Sequence, residues 1–191
     1  MEIRSWDERY SSGERAAEDI EAAPTSLLVE TSKRLTPARA LDLACGSGRN
    51  ALWLAEQGWS VTAVDGSPTA IEILRSRASS RGVTVSMKVA DLEKFEYQIE
   101  PASWNLIAIC YYLQRDLFGP AKQGVVPGGI VISIVHITEP CEEPTAHRLR
   151  PGELERYFQG WEILHRREGK PHDAAHQRSV AEIVARRPAD S

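Results

Sequence analysis

Apolar positions along this chain form short unbroken runs that alternate with stretches of helical spacing. Ala40 to Ala44, Ser60 to Val64, Trp104 to Cys110 and Ile130 to Val135 have strand length, and the last two are apolar but for one polar residue each, Asn105 and Ser133, as suits buried parallel strands. Between them, Arg49 to Gln57 carries Ala51, Leu54 and Ala55 on one side. Ser67-Pro68 is an N-cap and first-turn pair, and opens a helix to about Ser80 with Ala70, Ile71, Leu74 and Ala78 on one face. Asp116 to Gly124 reads as a further helix. Val83 to Val89 alternates and predicts a half-buried strand. Trp161 to Arg167 and Arg178 to Arg186 also alternate and predict an antiparallel pair. Ahead of these, Trp6 and Tyr10 share one helical turn, and a helix from about Ser26, with Leu28, Thr31 and Leu35, stops before Pro37. The pattern predicts a single α/β domain over 1–191. It comprises a helical arm or lid, 1–36, and a core, 37–191, of mostly parallel strands sandwiched by helices.

The chemistry concentrates between Ala40 and Asp65. A strand ends in Cys45-Gly46-Ser47-Gly48, a helix starts near Arg49, and the next strand ends on Asp65. Gly46 and Gly48 let the backbone turn sharply and lie against a ligand, so valine at either should block binding without disturbing the fold. The helix N-terminus favours a carboxylate or phosphate. Asp65 can accept two hydrogen bonds from a ribose diol. Gly46-x-Gly48-x-x-Ala51 with Asp65 downstream also fits a dinucleotide site, which keeps an NAD-dependent oxidoreductase open. Asp42 weighs against that, because a carboxylate inside the first strand suits an ammonium group better than a pyrophosphate.

The run LDLACGSGRNALWLA…VTAVD resembles motif I and its sequel in class I S-adenosylmethionine-dependent methyltransferases, with Ala44 standing where the family's first glycine is expected. WDxRY at Trp6 to Tyr10 resembles the N-terminal arm of small-molecule methyltransferases of the tellurite-resistance type. The resemblance spans about Trp6 to Arg187. It implies a Rossmann-like, doubly wound, seven-stranded sheet with one antiparallel strand and helices on both faces. It also implies S-adenosyl-L-methionine as cofactor, with Asp91 on the adenine amino group and the Leu92 N–H on a ring nitrogen. The cofactor-binding set is then Asp42, Ala44, Cys45, Gly46, Gly48, Asn50, Asp65, Gly66, Ser67, Asp91, Leu92 and Cys110.

Ligands of open α/β sheets sit outside the carboxyl ends of the strands. Tyr111 and His136 follow two such ends and are the expected catalytic residues, with Tyr10 closing the site from the arm. Arg115 is a candidate for steering an anionic acceptor. The expected activity is in-line methyl transfer to a small acceptor such as a thiol or an oxyanion, and the remaining alternative is a non-catalytic regulator that binds the methyl donor.

Composition narrows the partners. A formal charge of −4 gives no electrostatic reason to expect nucleic acid, and no apolar run reaches membrane-spanning length. Cys45, Cys110 and Cys141 form no close pairs, and the first residues are charged rather than signal-like, so the expected setting is the cytoplasm, as monomer or homodimer. His172-Asp173-x-x-His176, and His136 with Cys141 and His147, could suggest a metal, but neither set shares a confident helix face. No metal is expected.

Overall fold

The computed structural model describes residues 3–12, 23–139, 142–143, 145–172 and 177–189. The strands form a seven-stranded sheet in the order β3-β2-β1-β4-β5-β7-β6, and the chain packs as two compact units, Met1–Gln98 and Ile99–Ser191.

The first unit contains α1 (Ile3–Ser11), α2 (Ser26–Ser32), β1 (Arg39–Leu43), α3 (Arg49–Glu56), β2 (Ser60–Asp65), α4 (Pro68–Arg81) and β3 (Ser86–Val89). All three strands are parallel, with Leu43 opposite Val64 and Asp65 opposite Val89. The carboxyl ends of β1 and β2 therefore finish level, which puts the glycine turn beside Asp65. α4 buries Ala70, Ile71, Leu74 and Ala78, the face its spacing predicts, and Ser67 Oγ caps it by accepting from the Ala70 N–H at 3.0 Å.

Two elements differ from their sequence patterns. α2 ends at Ser32 rather than near Leu35, because Arg34 and Leu35 donate to Thr31 and Ser32 in tighter three-residue steps. β3 starts at Ser86, not Val83. The Gly82 and Val83 N–H groups instead close α4, donating to Ser79 and Ala78 in a Schellman arrangement. β3 is also the outermost strand, so its alternation does not produce burial, and Val89 remains 52% exposed.

The second unit contains β4 (Trp104–Cys110), a 3-10 turn (Arg115–Leu117), α5 (Phe118–Gly124), β5 (Val125–His136), α6 (Glu153–Arg156), β6 (Glu162–Gly169) and β7 (Val180–Arg186). β5 is parallel to β4, and β7 is antiparallel to both β5 and β6, so β7 is the single reversed strand. β5 is longer than the predicted Ile130 to Val135, because Pro127-Gly128-Gly129 lies inside it as an irregularity at which the register with β4 shifts. Glycine is needed at 129, since a Cβ there would stand 2.8 Å from Val125 Cγ1 and 3.0 Å from the Asn105 carbonyl oxygen. Leu106 to Ile109 and Ile130 to Val135 are buried, Ser133 included, as central strands covered on both faces should be.

Candidate functional site

In the first unit the site is built around Asp65. Its Oδ2 accepts the Gly46 N–H at 2.8 Å and its Oδ1 accepts the Ser67 N–H at 2.9 Å. One carboxylate thus pins both the turn after β1 and the entry to α4. Arg77 reaches back from α4 to the Ser47 carbonyl at 2.7 Å and the Ser47 hydroxyl at 2.9 Å, holding the turn from its other side. The Cys45 N–H donates to the Val64 carbonyl, and the Gly48 N–H to the Cys45 carbonyl.

Asp42 is the electrostatic anomaly. It is 1% exposed within β1, and among the described residues its Oδ2 has no hydrogen-bond partner. Desolvation pushes its pKa up to about 7, against the pull of Arg49 and the Ala51 backbone N–H and with a smaller upward push from Asp65. A buried carboxyl with an unsatisfied oxygen is costly, and a cationic ligand group beside it would remove that cost.

Gly48 does something other than its sequence pattern predicts. With φ at +85° it needs glycine geometry, but its Cβ would point at Leu74, 2.1 Å from Cδ1. The space is filled by α4 and not by ligand, which is close helix packing at a glycine. Ala44, in place of the family's first glycine, is itself held at φ +54°. Because left-handed geometry penalises a Cβ, Ala44→Gly should stabilise the protein by about 0.5–1 kcal/mol, read as a higher urea midpoint at unchanged m. No gain would mean the surroundings already relieve the strain.

Several other predicted residues are engaged locally. Asn50 Oδ1 accepts the Thr25 N–H at 2.9 Å, tying α3 to the start of α2. Asp91 Oδ1 accepts the Lys94 N–H at 3.2 Å, and its Oδ2 pairs with Lys94 Nζ at 3.0 Å, so it caps the turn after β3. Leu92 is buried beside it. Tyr10, expected over the reaction, is 7% exposed and packs with Trp6 and Ile73 around Ala70. Its ring belongs to the contact between α1 and α4. Sequence reasoning passed over Asp7, whose Oδ1 accepts from Ser67 Oγ at 2.6 Å and from the Thr69 N–H at 3.0 Å. The signal was present in WDxRY, where an acidic residue sits between the two aromatics.

In the second unit, Cys110, Tyr111 and His136 gather at the carboxyl ends of β4 and β5. Tyr111 has φ +60°, rare for a bulky side chain, and its N–H donates to the Ile134 carbonyl at 2.6 Å. Its ring lies 5.7 Å from that of His136, centroid to centroid. Burial lowers the His136 pKa below the ordinary imidazole value; a hydrogen bond with the Ser179 backbone opposes this, and Arg178 and Arg148 add to it. The imidazole is therefore neutral at pH 7.

Arg115 is committed to structure. Its guanidinium donates to Glu153 Oε1 at 2.8 Å, to the Ala146 carbonyl at 2.8 Å and to the Arg148 carbonyl at 2.9 Å. It organises the segment before α6 and does not wait for an anion. Arg115→Ala should cost about 1–2 kcal/mol and speed amide exchange across 145–153, while cofactor-product affinity stays unchanged. Unaltered exchange there would return Arg115 to the candidates for acceptor binding. Among the described residues no group of three or more His, Cys, Asp or Glu side chains could hold a metal; Cys141, Asp173 and His176 lie outside them. No helix among the described residues is long and apolar enough to cross a membrane.

The tellurite resistance protein TehB family matches residues 19–178, most of the chain. This chain belongs to the TehB family. The probable S-adenosyl-L-methionine-dependent methyltransferase TehB of Haemophilus influenzae is 26% identical over 144 residues, covering 72% of this chain and 50% of that protein. Hemagglutinin 1 of Eikenella corrodens is likewise 26% identical, over 146 residues covering 73% and 49%. This chain thus spans about half the length of these curated relatives. The crystal structure of TehB from Haemophilus influenzae superposes with a TM-score of 0.73 at 24% identity, over 85% of this chain and 62% of that one.

The name of the Haemophilus influenzae relative agrees with the methyltransferase class and the S-adenosyl-L-methionine cofactor expected from the sequence.

Proposed function

We propose that this chain transfers the methyl group of S-adenosyl-L-methionine to a small-molecule acceptor. The observation that carries the reading is the buried, partly unsatisfied Asp42 carboxyl beside a glycine turn pinned by Asp65. When bound, the cofactor supplies a methyl already activated on a sulfonium, so the protein's work is binding, alignment and exclusion of water. Asp42 would hold the amino group, and Cys45, Gly46 and the start of α3 the carboxylate. Asp65 and the Gly66-Ser67 backbone would take the ribose, with Asp91 and Leu92 on the adenine.

Tyr111 and His136 are the acceptor-side pair. An aromatic face favours a cation by about 0.5–2 kcal/mol and excludes water. Neutral His136 can take a proton from an acceptor that arrives protonated, and nothing is required of it when the acceptor is already a soft anion. The family's name points to a tellurium oxyanion, and a thiolate belongs to the same class of soft nucleophile. In this reading 1–191 acts as one cytoplasmic catalytic domain on freely diffusing acceptors, with the 1–36 arm part of it.

The test is methyl transfer from radiolabelled S-adenosyl-L-methionine to a panel containing tellurite, selenite and small thiols, beside calorimetry with S-adenosylhomocysteine and NADH. Binding of S-adenosylhomocysteine alone, with label passing to at least one acceptor, is expected. Binding without transfer to any acceptor would favour a sensor, and NADH binding would remove the proposal.

A further inference from the structure

The first unit contains an unbroken hydrogen-bonded path from the N-terminal arm into the glycine turn. Asp7 Oδ1 accepts the Ser67 hydroxyl at 2.6 Å. The Ser67 N–H donates to Asp65 Oδ1 at 2.9 Å, and Asp65 Oδ2 accepts the Gly46 N–H at 2.8 Å. Ser67 is fully buried, and its Oγ also caps α4 through the Ala70 N–H at 3.0 Å. Its hydroxyl therefore needs an acceptor for its proton, and Asp7 is that acceptor. The Thr69 N–H, at 3.0 Å, gives the same Asp7 oxygen a second bond. Ser11 adds a hydroxyl contact to Thr69 at 3.2 Å, and Trp6 and Tyr10 seat the rest of α1 against Ala70 and Ile73. The Ser67 hydroxyl and the Thr69 N–H hold the Asp7 carboxyl below its ordinary range despite some burial, so it is ionised and favours the positive end of α4.

Capping α4 needs only Ser67. The added acidic residue, brought from sixty positions earlier in the chain, fixes the orientation of Ser67 and, through its backbone, the carboxylate of Asp65. We propose that Asp7 is a positioning residue for the cofactor's ribose: by locking Ser67 it presents Asp65 in one orientation, and the N-terminal arm thereby sets the affinity of the site. This rests on the reading that Asp65 binds the ribose hydroxyls. A carboxylate already held in its binding rotamer does not have to be ordered when the ligand arrives. By reciprocity, ligand binding strengthens the seating of α1.

The experiment is S-adenosylhomocysteine titration of the full chain by calorimetry, for Asp7→Ala, Asp7→Asn, Asp65→Ala and the double variant Asp7→Ala/Asp65→Ala. Folding of each is checked by circular dichroism. Asp65→Ala should weaken binding about thirtyfold or more and Asp7→Ala about tenfold. Asp7→Asn keeps the acceptor oxygen and should lose only about threefold, which also preserves the test if Asp7→Ala does not fold. With Asp65 already gone, Asp7→Ala should change affinity less than about twofold. Hydrogen exchange across 3–11 should slow on adding S-adenosylhomocysteine to the wild type, and slow less in Asp7→Asn.

Wild-type affinity in both Asp7 variants, with Asp65→Ala impaired, overturns the positioning role and leaves the ribose reading standing. An undiminished tenfold loss in the Asp65→Ala background overturns it too, since Asp7 would then be a general structural support. Wild-type affinity in Asp65→Ala removes the ribose reading and the proposal with it.

Discussion

Gly48→Val should unfold at a much lower urea concentration than the wild type, with a loss of about 2–5 kcal/mol. Two costs combine. A β-branched residue forced to φ +85° loses about 1–2 kcal/mol, and a side chain driven into a packed helix about 1–3 kcal/mol more. The atom it meets is Leu74 Cδ1, 2.1 Å from the added Cβ and fully buried on α4. The collision can therefore be checked by removing its partner. Gly48→Ala should be less damaging in a Leu74→Ala background than in the wild type, because the cavity left by the leucine accepts the new methyl group. If Gly48→Val instead keeps the wild-type urea midpoint and loses only S-adenosylhomocysteine binding, the glycine faces ligand after all.

The second large effect is a pH dependence with opposite signs for stability and for binding. Asp42 has a folded-state pKa of about 7, raised chiefly by burial from an ordinary 3.8. The protonated form is favoured in the folded chain, so the stability contribution is fully present below pH 3.8 and is lost as pH rises through about 7. The span corresponds to roughly 4 kcal/mol in the ligand-free protein. Ligand binding runs the other way. If the cofactor's amino group pairs with ionised Asp42, binding below pH 7 must expel a proton, and affinity should fall by up to about tenfold per pH unit beneath that point.

Calorimetry with S-adenosylhomocysteine in buffers of different ionisation enthalpy measures the released proton directly. Asp42→Asn should bind more weakly but with a nearly flat profile between pH 5.5 and pH 8, where Asn has nothing to titrate. Proton release that persists in Asp42→Asn would assign the titration to another group, and a flat wild-type profile would detach Asp42 from the cofactor's amino group.

The amino-acid sequence by itself determined the alternation of elements and the placement of the glycine turn, because both follow from local rules. Trp104–Cys110 is apolar apart from Asn105 near its start, which suits a strand buried on both faces. Ser67-Pro68 starts a helix through a hydroxyl cap and a preset φ, whatever surrounds it. Asp65 at the end of β2 was legible for the same reason, since strand length and the following cap fix where the strand stops.

Tertiary structure alone decided what each of these positions touches. Leu74 occupies the space that Gly48 seemed to leave for ligand, and Asp7 reaches Ser67 from the other end of the unit. Arg115, plausible as an anion guide, is spent on Glu153 and on carbonyls more than thirty residues away. β3 alternates like a half-buried strand, yet stands at the sheet's edge, where about half of Val89 stays exposed. Periodicity reports which face of an element is apolar. Which distant side chain fills a given space depends on the packing of elements whose separation along the chain no local pattern records.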